Sequence, residues 1–270
     1  MKPKYFSIPY IVWMGIFVVA PIVFVLVYAF TTTDGELTFT YFSAMGRFMS
    51  VFIRSFWLAF VSTVICILIG YPVAYLLSRE GQRVQRLMIM LIMLPMWMNF
   101  LLRTYAWMSI LENTGLLNSL LAFFGLPQLR IINTQAAVVI GMVYNFLPFM
   151  ILPIYSVIVK IDRSLYEAAQ DLGADTLSVF RKLVVPMSLP GVLSGVMMVF
   201  VPAVSTFVIS QLLGGGKVML LGDLIEMQFL GAAYNPHLGS AIALVMMIVV
   251  ILFVYVMNRF GEGEERAVGL

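Results

Sequence analysis

Ser164–Pro186 reads SLYEAAQDLGADTLSVFRKLVVP. It is the longest polar interval between two strongly apolar runs, and its pattern is that of two short helices joined at a glycine. Ser164 stands three residues before Glu167, the spacing of a capping box in which each side chain satisfies the other residue's free backbone N–H. Leu165, Ala168, Ala169 and Leu172 recur at helical spacing on one face. Gly173 sits where a residue of positive φ ends a helix, and Asp175 or Thr176 can cap the next one. Leu177, Phe180 and Val184 mark a second apolar stripe, and Pro186 closes the unit before membrane is re-entered. An apolar-faced helix–turn–helix held between two spanning helices predicts a docking knob for a soluble partner. The competing reading is an interfacial helix lying on the bilayer.

The flanking composition is that of a membrane protein. Of 270 residues, 62% are hydrophobic and only 11% are charged, outside the range of soluble domains. Apolar runs of spanning length recur six times. The first, about residues 8–30, follows Lys2 and Lys4 and is longer than the apolar part of a signal peptide, so it reads as an uncleaved helix about 35 Å long. The others fall at about 55–77, 87–111, 136–159, 189–213 and 239–257. Gly70 and Pro72 are expected to bend the second, and Pro95 interrupts the third. The division expected is a first helix and outer loop (1–50), a transmembrane domain (51–257) carrying the polar loop at 160–187, and a charged inner tail (258–270).

Charge placement orients the chain. With both termini inside, eleven of the sixteen Lys and Arg residues lie on the cytoplasmic side: Lys2, Lys4, Arg79, Arg83, Arg86, Lys160, Arg163, Arg181, Lys182, Arg259 and Arg266. The basic bias favours N-in, C-in. It also puts the helix–turn–helix in the cytoplasm.

The residues for several chemistries are missing. Gly214-Gly215-Gly216-Lys217 resembles a phosphate loop, but Gln211 stands where its first glycine belongs and Val218 where its Ser or Thr belongs. It reads as a flexible turn on the outer side. His237 is the single histidine and Cys66 the single cysteine, which excludes a His- or Cys-rich metal cluster. His237 is expected to face water, and Cys66 to pack in an apolar run. Ser205, Thr206 and Ser210 have no paired base and are expected to bond back to their helix or to a neighbour. No active site is visible.

A solute path is sought where polar groups enter apolar runs, because such groups face a cavity or a partner helix. The third run is the richest, with Trp97, Asn99, Arg103, Tyr105, Trp107 and, at its outer end, Glu112. Asn99, Arg103 and Trp107 share a face at spacings of four. Aromatic rings and an acid can hold an alkylammonium. The same residues fit an aromatic belt with a snorkelling arginine. Arg103 would repel a cation, so pairing with Glu112 or a partner subunit suits it better. Asp223 and Glu226, three apart near the outer mouth, either attract a polycation or keep their segment solvated.

Glu167-Ala168-Ala169, then three residues and Gly173, then nine residues and Leu183-x-Val185-Pro186, resembles the EAA loop of binding-protein-dependent ABC import permeases. The departures, Leu183 for Ile and Val185 for Leu, are apolar exchanges. Within that family, Leu94–Trp107, Gly141–Tyr155, EAAQDLGAD and GDLIEMQFL with NPHLGSA resemble permeases of spermidine/putrescine importers, a likeness covering nearly the whole chain. It implies an all-α integral membrane fold of six spans, the type I importer architecture. Glu167, Ala168, Ala169, Gly173, Leu183 and Pro186 would couple to an ATPase. ATP and Mg would be bound by that separate subunit and no cofactor by this chain. The partners implied are a second, homologous permease, two ATP-binding subunits, a periplasmic polyamine-binding protein and membrane lipid, with no nucleic acid. Other readings are a permease for another small solute, a proton-coupled carrier and a scaffold without transport. The helix centres lack the carboxylates a proton-coupled carrier usually needs.

Overall fold

A computed structural model describes residues 8–231 and 233–268. Lys2, Lys4 and the side chain of Arg266, counted above on the inner side, lie outside the description. The described residues are almost wholly helical, with one isolated bridge between Thr31 and Leu37.

Five helices are long and apolar enough to cross a membrane, and a bent pair, Gln82–Trp97 with Phe100–Phe123, makes the sixth when its two halves count as one span. The spans are α1 (Pro9–Phe30), α2 (Met49–Arg79), the bent pair α3 (Gln82–Trp97) and α4 (Phe100–Leu111), α6 (Gln135–Ile158), α8 (Thr176–Ser205) and α11 (Pro236–Val268). Between them lie α5 (Leu116–Phe123) after the third span, α7 (Arg163–Asp171) before α8, and α9 (Val208–Gly214) and α10 (Leu221–Phe229) before α11.

The core is a triangle of α2, α6 and α8, whose mutual packing is the most extensive in the molecule. Lipid tails supply no hydrophobic drive between spans, so close fit has to do that work. Glycine supplies the fit. A Cβ on Gly191 would stand 2.8 Å from the Pro153 carbonyl oxygen, and one on Gly195 2.8 Å from Met150 Sδ. Met150 and Ile154 of α6 are fully buried in the resulting groove. Cys66 is buried as expected, beside the Val143 carbonyl.

Two prolines account for two irregular turns. Gly15–Val19 and Phe180–Val184 are π-helical, closed by Ala20 N–H to the Gly15 carbonyl and by Val185 N–H to the Phe180 carbonyl. Each is followed, after one residue, by a proline, Pro21 and Pro186. Proline has no N–H to donate, and its ring crowds the carbonyl four residues back; a widened turn makes room. Pro186 therefore does not close the polar unit, as the sequence suggested. The second short helix runs unbroken into the fifth span.

Other boundaries move for local reasons. The third run is not one helix interrupted at Pro95. The helix ends at Trp97 and restarts at Phe100, and the chain bends by 91° between them. The fifth span ends at Ser205, whose hydroxyl bonds back to the Val201 and Pro202 carbonyls, and Thr206 turns extended. The remainder of the expected helix is the separate α9. The sixth helix is longer at both ends and begins at Pro236, where a missing N–H costs nothing. His237 does not face water. It is 8% exposed, between the rings of Tyr28 and Tyr41 at 5.0 and 5.6 Å, with Nδ1 3.1 Å from the Tyr28 carbonyl oxygen. It thereby ties the sixth span to the first.

Candidate functional site

The helix–turn–helix forms between the fourth and fifth spans, with α7 as its first arm. The N-cap is Asp162 rather than Ser164: Asp162 Oδ1 accepts the Ser164 N–H at 2.9 Å. That bond holds the Asp162 carboxyl below its ordinary range. The capping box does not form, because Glu167 turns to Arg163, 3.3 Å away. At the other end, Ala174 N–H reaches the Ala169 carbonyl and Gly173 N–H the Gln170 carbonyl, the paired bonds of a Schellman motif. Gly173 has φ +80°, as its position required. Asp175 caps the second arm through the Ser178 N–H at 3.3 Å, and hydrogen bonding to Ser178, its side chain first and its N–H second, lowers the carboxyl.

No residue of α7 is buried. Leu172 is 89% exposed and Leu177 60%, apolar side chains with nothing of this chain over them. Glu167 and Ala168 are exposed as well, Ala169 is half-buried and Leu183 half-buried, and Val184 is the fully buried residue at the closing end. The inner face is anchored by rings: Phe180 packs edge-on to Tyr71 and Tyr75 of α2, at 5.8 and 4.9 Å, and Tyr71 Oη lies 2.7 Å from Ser188 Oγ of α8. The sequence placed Phe180 on its apolar stripe but gave no sign of its partners Tyr71 and Tyr75.

The third span is built around its bend. Met98 N–H closes a turn on the Pro95 carbonyl, and Asn99 then caps α4, its Oδ1 accepting from Leu101 N at 2.9 Å and Leu102 N at 3.4 Å. The Asn99 oxygen is thus engaged with backbone. Trp97 lies before the bend, 72% exposed. Beyond it, Tyr105 is half exposed and Trp107 sits edge-on to Tyr144 of α6 at 5.1 Å. Arg103 is 9% exposed with its Nε unpartnered, near the Phe100 ring. It does not pair with exposed Glu112; the one ion pair among the described residues is Arg163–Glu167.

Asp223 and Glu226 separate. Asp223 is 6% exposed, and its Oδ2 accepts the Leu220 N–H at 2.7 Å while Oδ1 has no partner. Burial pushes this carboxyl, which lies outside the six spans, up to about 6. Glu226 accepts from Gln211 Nε2 of α9 at 3.2 Å. The outer glycine run is a turn, with Gly215 and Gly216 at φ +55° and +72°. Ser210 bonds back to the Phe207 carbonyl, as expected of a serine without a base.

A bundle of six spans with a capped, exposed helix–turn–helix protruding between the fourth and fifth is the architecture of a membrane transport subunit. Residues 66–262 match the family described as binding-protein-dependent transport system inner membrane component, and the chain belongs to it. The spermidine/putrescine transport system permease protein PotB of Haemophilus influenzae is 37% identical over 268 residues, covering 96% of this chain and 93% of its own. PotB of Escherichia coli K12 is 35% identical, over 96% and 97%. Among solved structures, a bacterial ABC transporter involved in import of the acidic polysaccharide alginate superposes with a TM-score of 0.82 at 16% identity, over 96% of this chain and 94% of that one. The MetNI methionine ABC transporter, in an inward-facing conformation, gives 0.61 at 20% identity, over 80% and 95%. These two likenesses are of fold, and the fold is that of type I ABC importer permeases. The chain is a multi-pass inner-membrane component.

Proposed function

We propose that the chain is the permease subunit of an ATP-driven importer that carries polyamines, spermidine and putrescine, from periplasm to cytoplasm. The observation that carries this reading is the 35–37% identity, over 96% of the chain, to permeases bearing that substrate. The coupling unit supports it: a capped helix with exposed Leu172 and a rigid positive-φ turn suits insertion into a cleft of a separate ATPase. Glu167, Ala168, Ala169, Gly173, Leu183 and Pro186 belong to that unit. The chain binds no ATP itself. Two ATPase subunits, a second permease and a periplasmic polyamine-binding protein complete the machine, and ATP with Mg belongs to the ATPase.

Within the membrane, Trp97, Tyr105, Trp107 and Glu112 follow the broken third span outward, and Asn99 fixes its bend. Aromatic faces hold alkylammonium groups by cation–π attraction while leaving them free to move on. Asp223 and Glu226 lie near the outer entrance. The test is ATP-dependent uptake of labelled spermidine and putrescine into vesicles carrying the assembled subunits. Displacement by unlabelled polyamines alone is the expected result. ATP-dependent uptake of another solute would overturn the substrate class, and uptake driven by a proton gradient without ATP would overturn the importer.

A further inference from the structure

The coupling helix α7 is joined through the backbone to the fourth and fifth spans, but it reaches the second only through side chains. Arg79, in the last turn of α2, makes that reach. Its guanidinium carbon lies 4.6 Å from the Tyr166 ring centroid on α7 and 5.2 Å from the Tyr75 ring on α2. Nη2 donates to Tyr75 Oη at 2.9 Å, which fixes the guanidinium between the two rings. The neighbouring carboxylate does not compete, since Glu167 is paired with Arg163. Tyr166 is one of two half-buried side chains on an otherwise exposed helix. Around this contact α7 stands off from the bundle: a cavity of about 520 Å³ lies between them, lined by Ser78, Arg79, Ile158, Tyr166, Glu167 and Gln170 among others. Arg79 therefore acts as a strut across a gap. Beyond it, Tyr75 meets Phe180, and Tyr71 meets Ser188, so the inner end of α2 is tied to both arms of the coupling unit.

We propose that Arg79 is a positioning residue for energy coupling: held between Tyr75 and Tyr166, it fixes the coupling helix to the second span, so that displacement of α7 moves that span together with the two it is covalently joined to. The role follows from geometry. A helix displaced at its exposed face, with a cavity behind it, would otherwise rock into the gap and reach α2 only indirectly, through Phe180 and the packing of the fourth and fifth spans. The inference rests on the reading of α7 as the ATPase contact.

The test uses the complete transporter in proteoliposomes, with ATP hydrolysis measured alone and with spermidine-loaded binding protein. Stimulated hydrolysis by the unaltered complex establishes the underlying reading, and its absence there would overturn that reading rather than the strut. Arg79 is exposed, so Arg79→Gln opens no cavity in the core. We expect Arg79→Gln and Tyr166→Leu to lower stimulated hydrolysis and uptake about two- to fivefold, with basal hydrolysis unchanged. Tyr166→Phe keeps the ring and is expected to retain the stimulated rate. Normal stimulation in Arg79→Gln, a Tyr166→Phe defect equal to that of Tyr166→Leu, or failure of the Arg79→Gln complex to assemble would each overturn the proposal. The last would make Arg79 an assembly contact.

Discussion

The Pro153 carbonyl oxygen lies 2.8 Å from the point where Gly191 would carry a Cβ, so the fourth and fifth spans meet backbone to backbone. One turn on, Gly195 has Met150 Sδ at the same distance, the flexible part of a thioether chain. The two glycines should therefore differ in tolerance. Gly191→Ala must displace backbone and is expected to cost about 1–3 kcal/mol, the range for overpacking. Gly195→Ala meets its closest contact in the movable Met150 thioether, with the Met150 backbone further off at 3.3 Å, and should cost less. Thermal unfolding of the detergent-solubilised complex compares them; equal losses would mean that the backbone contact does not set the spacing.

Gly173→Val tests the turn. Nothing lies within 4 Å of its absent Cβ, so the cost is purely conformational. A β-branched residue at φ +80° costs about 1–2 kcal/mol. Because the strain falls on the joint between the two arms, uptake is expected to fall about tenfold while the complex still assembles and hydrolyses ATP. Normal uptake in this variant would count against transmission through the turn.

Trp107→Ala removes the edge-on partner of Tyr144, a pair worth about 0.5–1.5 kcal/mol beyond its buried area. Glu112→Gln removes an exposed charge. Both should weaken polyamine uptake more than assembly. Loss of assembled complex in proportion to uptake would make these residues structural.

Asp223 predicts a pH dependence of the outer segment. Its folded-state carboxyl is raised to about 6 by burial, with Glu226 adding in the same direction. A raised acid favours folding most fully below the ordinary carboxylate range, and that contribution is lost as pH rises through about 6. Intrinsic-rate-corrected amide exchange of Leu221–Phe229 should show greater protection at pH 5 than at pH 7.5. Asp223→Asn should flatten the difference, and an undiminished difference in that variant would place the titrating group elsewhere.

The caps predict the opposite sign. A bond from the Ser164 backbone N–H lowers Asp162, and hydrogen bonding to Ser178, through its side chain first, lowers Asp175, so their contribution is present above the ordinary carboxylate range and is lost as pH falls through the lowered values. Limited proteolysis of the coupling unit should quicken on acidification to below the ordinary range, and less steeply in Asp162→Asn, which keeps an uncharged cap.

What the sequence disclosed was local. The coupling unit was readable because its polarity, its glycine and its caps lie within one short interval, although the capping-box spacing of Ser164 and Glu167 put the N-cap two residues past its place at Asp162. The spans were readable from run length. The bend at Met98–Asn99 was not, because one asparagine in an apolar run looks like a lining residue until its carbonyl oxygen is seen bonded to backbone. His237 was misplaced because its tyrosine neighbours come from residues 28 and 41. The Gly191–Gly195 spacing stood in the sequence as a small-residue stripe, but its partner was identifiable only once α6 was seen against it. Arg79 gave no sign, since the ring it holds on α7 is 87 residues further along.

The π turn at Phe180–Val184 leaves the chain with one residue more than a regular helix needs over that length. Deleting exposed Lys182 would let the turn relax to ordinary α geometry with the sequences on either side still facing their present neighbours, provided Pro186 finds room. A deletion in the regular helix a few turns on, beside Gly195, would instead rotate everything after it by about 100°. The helix thus has a single place where its length can change without changing its phase, and that place is where the coupling unit enters the membrane.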